Sequence, residues 1–262
     1  MYLELITEKP TAVTRRTPVL FVHGMWHGAW CWAEHFLPYF SQHGYISCAL
    51  NLRSHGASEG PKQLRWISLK NYISDLVQIA SQMDTPPVLV GHSSGGLIVQ
   101  KYMEQHKAAA AVLLASTPPK GALPATLRTF LRHPLTVIKA FLTLSVFPIV
   151  STPGIAEKAF FSTDIPKEKL AVYVSQLQDD SFRAYLDLLR LNFACPKKVE
   201  VPLLVLGAEN DMIISQNEVR ATAHAYNVEA HIFPDMAHDM MLETNWQQVA
   251  DHILAWMNNR DM

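Results

Sequence analysis

Six short apolar runs, separated by longer stretches of helical periodicity, are the strongest constraint this chain places on its own fold. They are Pro18–Val22, Tyr45–Leu50, Pro87–Val90, Ala109–Ala115, Pro202–Leu206 and Val228–Phe233. Most show no polar alternation, so both faces of the strand must be buried, as in a parallel sheet. The stretches between them read as helices. Leu69, Tyr72, Ile73, Leu76, Val77 and Ala80 fall on one face of a 3.6-residue repeat. Ser215 followed by Glu218 has the spacing of a capping box. Leu242, Trp246, Val249, Ile253 and Trp256 form a last amphipathic pattern. Strand–helix alternation with right-handed crossovers predicts an α/β fold, a doubly wound and mostly parallel sheet.

The rhythm stops between Pro118 and Pro196, where helical patterns continue without strand runs and prolines recur. The expected organisation is a core of residues 1–117 and 197–262, with a helical cap, residues 118–196, inserted after the fourth strand. Within the cap, Leu135–Val150 is strongly apolar, but Lys139 and Pro148 interrupt it. It is too short for a membrane span. Leu135, Ile138, Phe141, Leu142, Leu144 and Phe147 are apolar nearly all round a helix. Packing of the cap on the core accounts for such a pattern. A hydrophobic acyl pocket, or transient lipid contact through the cap, is the sharper alternative.

Composition narrows the function. Charged residues are 17% of the 262, hydrophobic residues 49%, and the formal net charge is −1. No basic surplus points to nucleic acid. Three cysteines, Cys31, Cys48 and Cys195, do not make a disulfide framework and read as small buried residues. Met1–Pro10 lacks a basic start followed by an apolar stretch, so it does not read as a signal peptide, and a cytoplasmic location is expected.

Gly91-His92-Ser93-Ser94-Gly95-Gly96 follows one strand run and precedes a helical pattern. It matches G-x-S-x-G, in which a tight strand-to-helix turn lifts a serine hydroxyl above the sheet. Ser93 is the central residue, and Ser94 is the rival hydroxyl. The helix beginning at Ser94 would aim its positive end at the site. An oxyanion formed there needs two preorganised N–H donors. The expected pair is the backbone amides of Ser94 and of Met25, in the His23–Trp30 loop after the first run. His23 and His27 have no third ligand at sensible spacing and are read as loop-fixing residues, with no metal site expected.

A serine nucleophile also needs a general base. Of twelve histidines, His238 follows the last strand run and precedes the last helix, on a loop at the strands' carboxyl ends. The acid is expected after the penultimate strand, where Asp211 is the candidate and Glu209 its rival. Asp235 and Asp239 read as loop ties. Trp26, His92, Phe141, Met212 and Met240 are the candidate substrate-contacting residues.

These motifs stand in the order seen in the α/β-hydrolase superfamily, which the chain resembles over nearly its whole length. Asn51-Leu52-Arg53-Ser54-His55-Gly56-Ala57-Ser58 is similar to that superfamily's D-x-R-G-H-G-x-S turn, with Asn51 and Ser54 departing from it. His23-Gly24 with Gly28-Ala29-Trp30-Cys31-Trp32 resembles small esterases, lysophospholipase-like hydrolases, and the methylesterase and hydroxynitrile lyase group. Phe160-Phe161-Ser162 and Gln176-Leu177 look like the lid of that group. The resemblance implies a serine esterase acting on a small-molecule carboxylic ester through an acyl-enzyme, with no metal or organic cofactor. A lyase on the same residues, a binding protein that turns over poorly, and an acyltransferase are the alternatives.

Overall fold

The computed structural model describes residues 1–12, 15, 17–61, 63–189 and 193–262. Seven strands form one sheet: β1 (Leu5–Glu8), β2 (Val19–Val22), β3 (Ser47–Leu50), β4 (Val88–His92), β5 (Ala110–Leu114), β6 (Leu203–Ala208) and β7 (Ala230–Phe233). Their spatial order is β1-β3-β2-β4-β5-β6-β7. Six run parallel, and β1 alone pairs antiparallel, with β3. The six apolar runs thus become β2 to β7. The N-terminal strand is the addition: its half-exposed edge position suits a segment with polar residues mixed in. β2 to β6 are buried throughout, which is why their sequences lack alternation.

Helices α1 (Trp30–Ala33) and α2 (Phe36–Gln42) link β2 to β3, and α3 (Leu69–Ala80) links β3 to β4. α4 (Ser94–Met103) follows β4, α10 (Gln216–Ala225) follows β6, and α11 (Trp246–Asn258) closes the chain. Ser68 and Asn71 cap α3 reciprocally, as Ser215 and Glu218 cap α10. Under α1 and α2, Phe21 packs on Trp32 and Phe40, with ring centroids 4.9 and 5.5 Å apart. All three cysteines are free thiols.

Between β5 and β6 the chain carries α5 (Leu123–Arg132), α6 (Pro134–Thr143), α7 (Pro153–Phe160), α8 (Lys167–Gln176) and α9 (Phe182–Leu188), with no strand among the described residues. This insertion is tied to the loops at the strands' carboxyl ends. Trp26, after β2, donates from Nε1 to the Val146 carbonyl, and its own carbonyl accepts from Gln178 N–H. Asp239, after β7, donates from its backbone N–H to the Phe160 carbonyl. The expectation that the apolar residues of α6 pack on the core is corrected: Leu135 is 80% and Leu142 81% exposed, and Ile138 and Phe141 are exposed too. Only Val137 and Ala140 of that helix are buried. The helix is apolar all round, but it lies on the outside and has one narrow face to bury. Among the described residues, no helix is long and apolar enough to cross a membrane.

Candidate active site

The sheet's strand order reverses between β2 and β4, and the carboxyl ends of those strands are where an open α/β sheet leaves a crevice. The loop after β2 and Ser93 after β4 meet there. Ser93 sits between strand and helix at φ 52°, ψ −121°, a backbone conformation that costs a non-glycine residue about 1–3 kcal/mol. Its carbonyl accepts from Gly96 N–H and Thr117 N–H, and its N–H donates to Leu114, so the turn is held on both sides. Glycines make the turn possible. A Cβ on Gly91 would lie 2.7 Å from the Gly95 carbonyl oxygen, and one on Gly24 would lie 2.8 Å from Ser93 Cβ.

A cavity of about 60 Å³ opens onto Ser93. Met25, Trp26 and Ser94 line it, with Tyr185 and Leu188 from the insertion and Ile213 and Ile214 from the loop after β6. Among the described residues, neither the Met25 nor the Ser94 backbone N–H is spent on a backbone partner. Trp26 is fixed by its Nε1 bond to Val146 and by its N–H bond to the Asp180 carboxylate, at a positive φ of 66°.

His238 Nδ1 lies 2.7 Å from Asp211 Oδ2, and both residues are buried. The other carboxylate oxygen of Asp211 accepts from the N–H groups of Ile213 and Ile214, at 2.7 and 2.9 Å. That carboxylate is therefore held in one orientation. Glu209, the rival acid, is exposed and accepts from the Asp235 N–H instead. Among the described residues, neither the Ser93 hydroxyl nor His238 Nε2 has a hydrogen-bond partner. His238 is placed through its main chain: its carbonyl accepts from His92 Nε2 at 3.1 Å, and the two rings are 4.7 Å apart.

Of the residues expected to touch substrate, Trp26 lines this cavity, and Met212 lines a neighbouring one of about 130 Å³. His92, Phe141 and Met240 line neither. His92 is fully buried behind Ser93, where burial first, then the nearby His238 and His27, hold its pKa well below the ordinary value. Phe141 packs edge-on against Phe182 at 5.3 Å, and Met240 is fully buried. Thr117, Thr126, Tyr185 and Leu188 line the cavity and carry no sequence signal of their own, because a loop after β5 and two helices far apart in the chain, α5 and α9, bring them there.

His23 and His27 do fix the loop. His23 Nδ1 donates to the Gly24 carbonyl and Nε2 accepts from Leu52 N–H. Burial, with His55 beside it, lowers its pKa to about 3, so it is neutral. His27 Nδ1 lies 2.7 Å from the Met25 carbonyl oxygen, and Nε2 lies 2.8 Å from Asp239 Oδ2. Asp239 is thus a loop tie, joining the loop of His238 to that of Met25. His92, His238 and Asp239 bring one ligand atom each within 4.8 Å. Protein partners engage His92 Nε2, His238 Nδ1 and Asp239 Oδ2, while His92 Nδ1 and Asp239 Oδ1 are buried with no hydrogen-bond partner among the described residues.

The chain matches the "Alpha/beta hydrolase family" over residues 19–252. It is 25% identical over 266 residues to Methylesterase 2 of Arabidopsis thaliana, covering 94% of this chain and 97% of that one. It is 35% identical over 116 residues to Norfluorocurarine synthase 2 of a Strychnos species, covering 42% of each. An esterase from Exiguobacterium antarcticum superposes with a TM-score of 0.77 at 15% identity, covering 98% of this chain and 95% of its own.

Proposed function

This chain belongs to the alpha/beta hydrolase family, and from that premise we propose that it cleaves carboxylic esters with Ser93 as nucleophile, His238 as base and Asp211 as the acid that orients it. The carrying observation is the contact of His238 Nδ1 with Asp211 Oδ2, at the strand ends where Ser93 projects from its strained turn. The esterase relatives support the reaction class.

With Nδ1 donating to Asp211, His238 keeps Nε2 unprotonated, as a base must. It removes the Ser93 proton as Oγ attacks the ester carbonyl. The negative charge on the carbonyl oxygen is received by the N–H groups of Met25 and Ser94, each donor contributing on the order of 3 kcal/mol. His238 then protonates the departing alcohol, and the ester acyl group remains on Ser93. Water, losing a proton to His238, releases the acid and restores the hydroxyl. Hydrogen bonds between nucleophile and base commonly shorten only once substrate is bound. The helical insertion, residues 118–196, serves as a cap that excludes water and supplies cavity walls.

The test is hydrolysis of p-nitrophenyl butyrate by wild type, Ser93→Ala and Asp211→Asn. Both variants are expected to lose on the order of 10³-fold or more in kcat/KM while keeping their melting temperature. Full activity in purified Ser93→Ala overturns the reading. The competing outcome is lyase chemistry on the same residues, in which no acyl group is carried on Ser93. An acyl adduct on Ser93, trapped during turnover and seen by mass spectrometry, decides for hydrolysis.

A further inference from the structure

The cavity at Ser93 holds about 60 Å³, less than half of the roughly 150 Å³ that accommodates a benzene ring. A substrate chain of any length must leave it. The neighbouring cavity of about 130 Å³ shares four wall residues with it, Trp26, Thr129, Ile149 and Ile213. Its inner wall is apolar, with Val150 and Ile155 added, but its rim carries Arg132, His133 and Lys158. Among the described residues, no acidic side chain lines it.

Arg132 ends α5 and Lys158 lies in the last turn of α7. Each alone is the usual cation at a helix C-terminus. That reading does not explain why the two ends converge on one cavity beside the catalytic one. Neither cation has an ion-pair partner among the described residues, whereas Arg128, one turn earlier, is paired with Glu218. The sequence from Gln105 to Ala156 contains no Asp or Glu, although the chain as a whole is balanced at 22 basic against 23 acidic residues. Glu157, next to Lys158, does not line the cavity.

We propose that this second cavity is a subsite for an anionic group at the far end of the substrate: an ester whose apolar chain, leading away from the reacting carbonyl, ends in a carboxylate or phosphate. The apolar walls take the methylenes, and Arg132 and Lys158 take the charge. This rests on the ester-hydrolase reading for its reaction and on the rim alone for its specificity.

Two measurements separate the two claims. The first is binding, which needs no turnover. Monomethyl suberate and dimethyl suberate are titrated calorimetrically into Ser93→Ala. The mono-anion is expected to bind about tenfold tighter at low salt, the scale of two partly exposed ion pairs. The difference is expected to vanish in Ser93→Ala carrying Arg132→Gln and Lys158→Gln, and to survive in Ser93→Ala carrying Lys70→Gln. Equal binding of the two esters, or a preference that the double substitution leaves in place, overturns the subsite. The second is kcat/KM for p-nitrophenyl esters of monomethyl suberate, suberate and a phosphate-ended acid of equal length. A ratio of anionic to neutral ester that falls about tenfold in Arg132→Glu/Lys158→Glu supports it, and the two anionic arms tell carboxylate from phosphate. A ratio unchanged by that charge reversal counts against it. If no ester is cleaved while the binding preference holds, the hydrolase reading fails and the anionic subsite stands.

Discussion

Position 24 carries no Cβ, and the surroundings leave no room for one. An added carbon would meet Ser93 Cβ at 2.8 Å and His92 Nδ1 at 3.1 Å. Both neighbours are held in place, Ser93 by its turn and His92 by its bond to the His238 carbonyl. In Gly24→Ala the loop must therefore back away, taking the Met25 amide with it. Activity on p-nitrophenyl butyrate is expected to fall about tenfold or more, since misplacement of a catalytic group by a fraction of an ångström is costly. A melting curve run alongside distinguishes this from unfolding, and a wild-type rate would dissociate Met25 from the reaction. The same position shows how a neighbour in sequence can be misjudged. His92 adjoins Ser93, yet a strand alternates its side chains, and the elbow sends Ser93 to the cavity while His92 stays in the core.

The two loops that converge on the site are joined by His27 and Asp239, both buried. Both ring nitrogens of His27 face acceptor oxygens, so the ring is satisfied fully only as an imidazolium. Burial pulls its pKa down, but the charge and hydrogen bond of Asp239 outweigh it, and the net shift is upward from 6.5. A raised pKa gives stability that is complete below 6.5 and is lost as pH rises through the folded-state value. The melting temperature of wild type is thus expected to fall on that alkaline side by more than that of His27→Gln, and parallel curves would refute the charged state. The outer face of α6 makes a contrasting case. Leu135 and Leu142 touch little, so changing both to Gln is expected to alter stability by less than about 0.5 kcal/mol. Leu113→Ala, in β5 and fully buried, is expected to cost about 2–5 kcal/mol in urea denaturation.

Across the molecule, sheet and insertion meet at Asp180. Its carboxylate takes the Tyr72 hydroxyl of α3 at 2.8 Å and the Trp26 N–H at 3.3 Å, and it pairs with His55 at 3.4 Å. Burial opposes the charge on Asp180, but His55 and the hydrogen bonds prevail and hold its pKa below 3.8. For His55, burial is likewise outweighed, by Asp180, and its pKa rises above 6.5. The Asp180 contribution is present above 3.8 and lost as pH falls through its folded value, while that of His55 is present below 6.5 and lost as pH rises. The melting-temperature gap between wild type and Asp180→Asn is therefore expected to be widest between those limits and to narrow on either side. A gap independent of pH would mean that Asp180 acts only through its neutral hydrogen bonds.

Much of this architecture was legible before any coordinate. A strand buried on both faces must be apolar throughout, so β2 to β6 declare themselves, and the turn that raises Ser93 admits only small residues at Gly91 and Gly95. The edge strand β1 was missed because half of it faces water and carries no such mark. Pairing His238 with Asp211 rather than with adjacent Asp239 was readable from strand order, since each loop's place follows from the sheet. What folding alone could settle is where an amphipathic or wholly apolar helix turns its sides. The α6 pattern was compatible with burial, and the long-range bonds of Trp26, Phe160 and Asp180 leave it outside. Cavity walls drawn from six separate stretches of chain obey no local periodicity, because their meeting depends on how the insertion docks.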